Sequence, residues 1–433
     1  MRLVMRKFWI LLLFLLTLML VHPLQGDESS ESFYFRGTFY VDWFGAKYQD
    51  SPFYNQLSAR FKIELFSRKG TGWTFLLDTR DRFGLNKNGN NQLLLYDARL
   101  IFEKPENRFM LSVGQMNLYD TAGIGQLLGG VLGYKPISGL MLGGYAGFES
   151  NIYIDRLEKD YYKFGLFARY LGNLGKRFSL SFNHIHFQGK TEQQYVYISG
   201  LYPIKKYFVF FGNMEFQLAS NVHKDDRLSR LFVNLRFDPA PFVDLTAFYS
   251  SGRGLDFHYH LLQTSQYPTL SDRELERYYY SLQYGLRLSA KPFQGLRLFL
   301  SRQEREQKDD NIKNHAWLFG FSAVNILNTS FSAYGNYTSN RGEISESDSY
   351  YISVSKDFGR ISWQSSFSNT FNGLRYDYRS FDPQIIHLSD YMTFSTFFFI
   401  TISRALAVSL QYELLLQEES NQHSCFVRLI YRK

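Results

Sequence analysis

The feature that most constrains this chain is an alternation of apolar and polar residues with a period of two. Residues 57–65 read Leu-Ser-Ala-Arg-Phe-Lys-Ile-Glu-Leu, and residues 406–414 read Leu-Ala-Val-Ser-Leu-Gln-Tyr-Glu-Leu. Successive side chains of a β-strand point to opposite faces, so each segment has one apolar face and one more polar face. In a helix the same residues would mix around the cylinder. The alternation therefore predicts an all-β protein.

About 22 such segments follow one another, the first at residues 33–44 and the last at 422–432. Most have 9 to 15 residues, whereas an average strand has about 5–6 and a bilayer-crossing strand needs about 9–11. Tight turns alternate with a set of often longer polar loops, and no proline falls inside a predicted segment. This layout predicts a single antiparallel up-and-down transmembrane β-barrel without a plug domain. The range is 18–22 strands, because 129–135 and 138–148 are short or glycine-rich.

Residues 1–26 have the form of a secretory signal peptide. A basic start, Met1 to Lys7, precedes an apolar run of 14 residues from Phe8 to Val21. That run is shorter than the roughly 20 residues of a membrane-spanning helix. We therefore predict a cleaved signal at 1–26 and an outer-membrane barrel at 27–433, the alternative being a retained N-terminal anchor.

Composition excludes several classes of protein. The single cysteine, Cys425, excludes a disulfide framework and a cysteine-rich metal site. A net charge of +8 over 433 residues is too small and too dispersed for a nucleic-acid interface. We predict no cofactor and no nucleic-acid partner.

Signals for catalysis are weak, and we predict that the protein is not an enzyme. No Gly-x-Ser-x-Gly nucleophile motif occurs. His184 and His186 share one strand face, and His258 and His260 lie near Asp256, which leaves metal binding as a minor alternative. Neither pair has a third ligand in sequence register, so we predict no metal site.

The export signal, the long amphipathic strands and the alternating turn lengths together resemble a Gram-negative outer-membrane β-barrel of the porin-like kind. The segment 111–115, Leu-Ser-Val-Gly-Gln, is similar to a strand end that reads Gly-Arg-Gln in several porin-like families, although the Arg is absent here. The resemblance implies contact with outer-membrane lipid and lipopolysaccharide, recognition by the barrel-insertion machinery and passage of small solutes. Tyr431 would be the terminal aromatic residue that this machinery recognises.

Charged residues assign the faces of the strands. A Lys or Arg that faces lipid near the bilayer centre costs about 2–4 kcal/mol, so the charged face should point inward. Among the inward charged residues the basic ones outnumber the acidic ones, which favours the passage of anions. The alternative is that these charges only pair across strands and hydrate the wall. The predicted pore-lining residues are Arg60, Lys62, Glu64, Asp78, Arg80, Asp97, Arg99, Lys163, Arg169, Arg230, Arg236, Asp244, Arg287, Arg297 and Glu413.

The segment 118–130 is too apolar for a solvated loop, and its glycines permit tight turns. We expect it to fold into the barrel and narrow the pore, with the alternative that it caps the barrel from outside. The predicted function is a channel for passive passage of small hydrophilic solutes, with anions favoured. A non-conducting barrel that acts as a scaffold or adhesin, or has weak lipase or protease activity, is the other hypothesis. The predicted constriction residues are Leu118, Tyr119, Asp120, Gly123, Gly125, Leu127 and Leu128.

Overall fold

A computed structural model gives the fold of the chain that follows the predicted signal peptide. The predicted signal peptide lies outside the described residues. The structure describes residues 33–49, 51–67, 72–85, 92–104, 107–118, 123–149, 161–205, 207–220, 228–253, 280–307, 312–326, 328–343, 345–376, 384–418 and 420–432.

The described chain forms 22 β-strands and one short 3-10 helix, Asn173–Gly175, between β8 and β9. The strands are β1 Phe33–Tyr48, β2 Tyr54–Ser67, β3 Trp73–Gly84, β4 Gln92–Glu103, β5 Phe109–Asn117, β6 Gln126–Ile137, β7 Leu140–Phe148, β8 Tyr161–Leu171, β9 Arg177–Phe187, β10 Lys190–Ile204, β11 Phe208–Ser220, β12 Leu228–Ala240, β13 Val243–Arg253, β14 Tyr280–Phe293, β15 Leu296–Gln307, β16 Ile312–Ile326, β17 Phe331–Gly342, β18 Ser345–Asp357, β19 Ile361–Tyr376, β20 Gln384–Thr401, β21 Leu406–Gln417 and β22 Asn421–Arg432.

The strands close into one antiparallel barrel. Each strand pairs with the next one along the chain, and β22 returns to pair with β1, with Arg428 opposite Asp42. The all-β, up-and-down barrel of 22 strands is therefore confirmed. The glycine-rich segments 129–135 and 138–148 lie in β6 and β7, so the lower strand counts are wrong.

The two ends of the barrel differ in the length of their connections. At the end that holds the first residue of β1 and the last of β22, the connections span two to five residues. At the other end they range from two residues between β9 and β10 to 26 between β13 and β14. In outer-membrane barrels the short turns are periplasmic. Among the described residues, no helix is long and apolar enough to cross a bilayer.

Four prolines lie inside strands, which corrects the expectation that all of them occupy turns or loops. Pro136, Pro239 and Pro292 are near the last residues of β6, β12 and β14, and in each case the strand register shifts there. Pro203 lies beyond the last residue of β10 that pairs with β9. A proline has no N–H to donate, so it is tolerated where ladder pairing is interrupted or ends.

The outer face of the barrel is apolar over a continuous band. On β4 to β8 the outward residues include Leu100, Val113, Leu132 and Leu166, and Leu132 is 57% exposed. In water such a surface would be costly, whereas in a bilayer it faces hydrocarbon. Aromatic pairs such as Trp73–Phe102 and Phe109–Tyr134 lie near the short turns, where an interfacial girdle is expected.

Candidate functional site: the inner wall and the loop between β5 and β6

Residues directly opposite each other on paired strands share a face, so the register identifies the inner wall. Asp42 lies opposite Ser58, Tyr40 opposite Arg60, and Arg60 opposite Arg80. The face opposite to these residues carries the exposed apolar band, so the polar face is the inner one. Following the register around the barrel places all 15 predicted pore-lining residues on this inner face.

Several of the inward charges form ion pairs, either along one strand or between strands one or two apart. Arg60 donates to Asp78 through Nε and Nη2, at 2.8 and 2.7 Å. Arg297 donates to both carboxylate oxygens of Asp244, at 2.7 and 2.6 Å. Asp97 lies 3.2 Å from Arg99 along β4. These pairs fit the interpretation in which inward charges pair with each other and hydrate the wall. The basic residues outside these pairs determine the electrostatic potential of the inner wall.

Asp42 is an inward charge that the sequence prediction missed. Arg428 of β22 donates to its Oδ1 at 2.6 Å, while Arg80 and Ser58 donate to its Oδ2, both at 3.3 Å. The carboxylate therefore links the first strand to the last, at the place where the barrel closes. The alternation pattern does indicate an inward Asp42, because Asp42 lies between the outward residues Val41 and Trp43. The pattern is hard to recognise there because the segment is rich in aromatic residues.

Lys163 requires a correction. It points inward as predicted, but only 2% of its side chain is exposed, and its Nζ lies 3.3 Å from Glu149 Oε1. Nearby inward residues on β7 to β10 are also buried, among them Tyr161, Asn183 and Tyr195. The Tyr145 hydroxyl donates to Asn183 within this region. Lys163 is thus part of a packed inner layer and does not line open space.

The loop between β5 and β6 explains part of this packing. Leu118 donates its backbone N–H to the carbonyl of Gly125 at 2.7 Å, which closes the loop at its base. Leu118 and Ile124 are buried with Met116, Leu127 and Val131, and Ile124 has no exposed surface. An isoleucine that belongs to a connection and is wholly buried cannot point into solvent. The loop therefore turns inward against the wall.

Glycine permits this inward path. Gly123 and Gly125 have φ values of 66° and 76°, a region that side chains other than glycine disfavour. A Cβ atom on Gly123 would lie 2.9 Å from Tyr197 Cγ on β10. Gly123 thus lies against Tyr197 of β10, a strand that does not pair with β5 or β6.

The predicted constriction residues divide into three groups. Leu118, Gly123 and Gly125 lie in the loop as predicted. Leu127 and Leu128 belong to β6, because the strand pairing begins at Gln126, opposite Asn117. Leu127 lies opposite Met116 on the inner face, whereas Leu128 lies opposite Gln115 on the outer face, so its predicted place in the constriction is wrong. Tyr119 and Asp120 lie outside the described residues.

Below the loop, toward the short turns, a cavity of about 750 Å³ lies against the inner face of β4 to β8. Arg99 and Arg169, two of the predicted pore-lining residues, contribute to its wall, as does Lys135. Leu118 and Val131 contribute to it from the side of the loop. The structure therefore brings part of the predicted lining and part of the predicted constriction together around one space.

The described histidine pair lies away from the inner wall. His184 and His186 lie on the outer face of β9, because the inward residues of this strand are Asn183 and Ile185, and the His184 ring stacks on Phe164 with centroids 4.6 Å apart. In the described parts of the chain, no group of three or more His, Cys, Asp and Glu side chains could hold a metal ion. His258, His260 and Asp256 lie outside the described residues.

Comparison by sequence finds no matching family model and no matching curated protein. By structure, the chain is similar to the translocation pore of the P pilus usher PapC, with a TM-score of 0.52 and 11% identity, over 92% of this chain and 99% of that one. Pseudomonas aeruginosa OccK3 (OpdO) matches at a TM-score of 0.43 and 11% identity, over 92% and 95% of the two chains. Acinetobacter baumannii OccAB1 matches at 0.41 and 10%, over 95% and 100%.

The likeness to the usher pore shows the fold. A closed barrel of 22 strands with an apolar outer band and a charged inner wall has the architecture of an outer-membrane protein. The chain therefore has the fold of an outer-membrane β-barrel.

Proposed function

We propose that this protein is an outer-membrane channel through which small hydrophilic solutes diffuse, and that the loop between β5 and β6 narrows its lumen. The supporting observation is the path of the loop, with Ile124 buried against the inner wall and Gly123 against Tyr197 on β10. Barrels of about 22 strands enclose a lumen wide enough to need obstruction. A loop that folds inward leaves a smaller, selective path.

The charge on the inner wall supports a preference for anions. Of the 15 predicted pore-lining residues, ten are Lys or Arg and five are Asp or Glu. Asp78, Asp97 and Asp244 each lie within ion-pair distance of a basic partner. The remaining positive charge would lower the barrier to anions in a narrow, polar path.

Planar-bilayer recording of the refolded protein tests this function. We expect discrete conductance steps in KCl. Under a KCl gradient, we expect a reversal potential closer to the equilibrium potential of chloride than to that of potassium. The double variant Arg60→Ala, Arg99→Ala should lower the chloride-to-potassium permeability ratio several-fold, because it leaves Asp78 and Asp97 without their partners. If the unmodified protein shows no conductance, the channel function is wrong and the scaffold or adhesin hypothesis takes its place.

We also propose that residues 1–26 are removed on export and that Tyr431, in the last strand, contributes to recognition by the insertion machinery. Mass spectrometry of the protein purified from outer membranes should give Asp27 as the first residue. Tyr431→Ala should reduce the amount of folded protein in the membrane. An intact Met1 in the purified protein would contradict the cleaved signal.

A further inference from the structure

The cavity below the loop has an uneven charge. Arg99, Arg108, Lys135 and Arg169 line it, whereas Glu103 is the one acidic residue among its lining residues within the described chain. Glu103 accepts a hydrogen bond from Lys135, and Arg99 is within 3.2 Å of Asp97. Arg108 and Arg169 have no ion-pair partner among the described residues. The cavity thus presents two guanidinium groups whose charge is not neutralised by any carboxylate among the described residues.

A second part of the cavity wall is apolar. Leu118, Val131 and Phe167 belong to the buried apolar cluster, and Met110 and Met141 pack against it. Methionine side chains are flexible and polarisable, so they adapt to apolar bodies of differing shape. With one aromatic ring among these five side chains, the surface suits a flexible chain better than a flat ring.

Charged and apolar walls in one space favour a ligand with two unlike ends. An inorganic anion would use the guanidinium groups but would leave the methionines without a partner. A neutral sugar would place hydroxyl groups against Met110 and Met141 and would not neutralise Arg169. Only an amphiphilic anion satisfies both walls at once, because guanidinium forks bind carboxylates and sulfonates through charge-assisted hydrogen bonds.

We propose that this cavity is a binding site for a small organic anion with an unbranched aliphatic body. The carboxylate or sulfonate lies between Arg108 and Arg169, and the chain lies on Met110, Met141 and Leu118. The inference deepens the proposed channel function, on which it rests for the route by which the ligand reaches the cavity. Equilibrium binding does not require conduction, so the two can fail separately.

Calorimetric titration of the refolded full-length protein in lipid nanodiscs tests the site. The ligands are hexanoate and hexane-1-sulfonate, with acetate as the head group alone, hexan-1-ol as the body alone, and inorganic phosphate as a compact anion. We expect hexanoate and hexane-1-sulfonate to bind, and each of the other three to bind at least about tenfold more weakly. Phosphate or acetate binding as tightly as hexanoate would overturn the proposal in favour of a general anion site.

Variants separate the two walls. Arg169→Gln should weaken hexanoate about tenfold, since it removes a charge-assisted pair. Met141→Gln should weaken hexanoate but leave acetate unchanged. Arg360→Gln, in the short turn between β18 and β19, removes the same charge outside the cavity and should change neither. Heat-modifiable migration on gels verifies that each variant is folded.

The outcomes are distinguishable. Hexanoate affinity that is the same in the unmodified protein, Arg169→Gln and Arg108→Gln would overturn the site. Conductance in KCl without hexanoate binding would also overturn the site and leave the channel function standing. Hexanoate binding that responds to the variants, in a protein without conductance, would support the site and refute the channel.

Discussion

Two regions of the inner wall share the same alternation of residue types but differ in how far their inward side chains are exposed. On β1 to β3 and β22, which we call the charged wall, inward side chains form ion pairs whose arginines stay partly exposed, as in Arg60–Asp78 with 39% and 15% exposure. On β5 to β10, which we call the packed wall, inward side chains are covered, as in Lys163–Glu149 with 2% and 6%. Both walls alternate with an apolar outer face.

The difference shows that alternation decides which way a side chain points but not what it meets there. On the packed wall, Ile124 of the loop and its apolar neighbours exclude water from the wall. A buried ion pair then depends on its partner, because a single remaining charge has no water to stabilise it. On the charged wall the arginines of the ion pairs stay 26–39% exposed, so water can solvate them when their acceptor is removed. The two walls should therefore respond differently to the same kind of substitution.

The largest effect is expected for Lys163→Ala on the packed wall. The substitution leaves Glu149 buried without its partner, which should lower the free energy of unfolding by about 3–5 kcal/mol. Urea titration of the protein in lipid vesicles, followed by tryptophan fluorescence, measures this change. The double variant Lys163→Met, Glu149→Met should recover most of the loss, because apolar side chains suit the covered site. No recovery would contradict the interpretation that the uncompensated charge causes the loss.

An intermediate effect is expected where the charged wall closes the barrel. Asp42→Ala removes the acceptor shared by Arg428, Arg80 and Ser58, and should lower the free energy of unfolding by about 1–3 kcal/mol. The temperature at which the folded band disappears on gels should fall with it. Asp42→Asn keeps the shape and one acceptor oxygen, so it should cost less. A loss as large as that of Lys163→Ala would show that the charged wall is as covered as the packed wall.

The smallest effect on stability is expected for Arg60→Gln. The pair with Asp78 is open to water, and such pairs contribute about 0–1 kcal/mol. The same substitution should still shift ion selectivity toward cations, because Asp78 loses its partner. Urea titration and the reversal potential on one preparation check both expectations. A large loss of stability with unchanged ion selectivity would contradict the claim that ion pairs on the charged wall are open to water.

The strands and their inward faces could be predicted because alternation is local. Arg60, Lys62 and Glu64 reveal the orientation of β2 within a few residues. The contact between Gly123 and Tyr197 could not, since it joins β10 to a loop between β5 and β6. The burial of Lys163 depends on the same long-range packing. The strand ends at Pro136 and Pro292 were missed because the register shifts there, which the order of residue types does not reveal.

The central claim is that the inward loop narrows the lumen, and single-channel conductance of Ile124→Glu tests it most directly. A carboxylate at this buried position should release the loop from the packed wall, since a buried unpaired charge is strongly unfavourable. Leu174→Glu is the matched control, on a short turn where Leu174 is 86% exposed. We expect the conductance of folded Ile124→Glu to rise several-fold over that of the unmodified protein and of Leu174→Glu. Equal conductance in all three would contradict the claim.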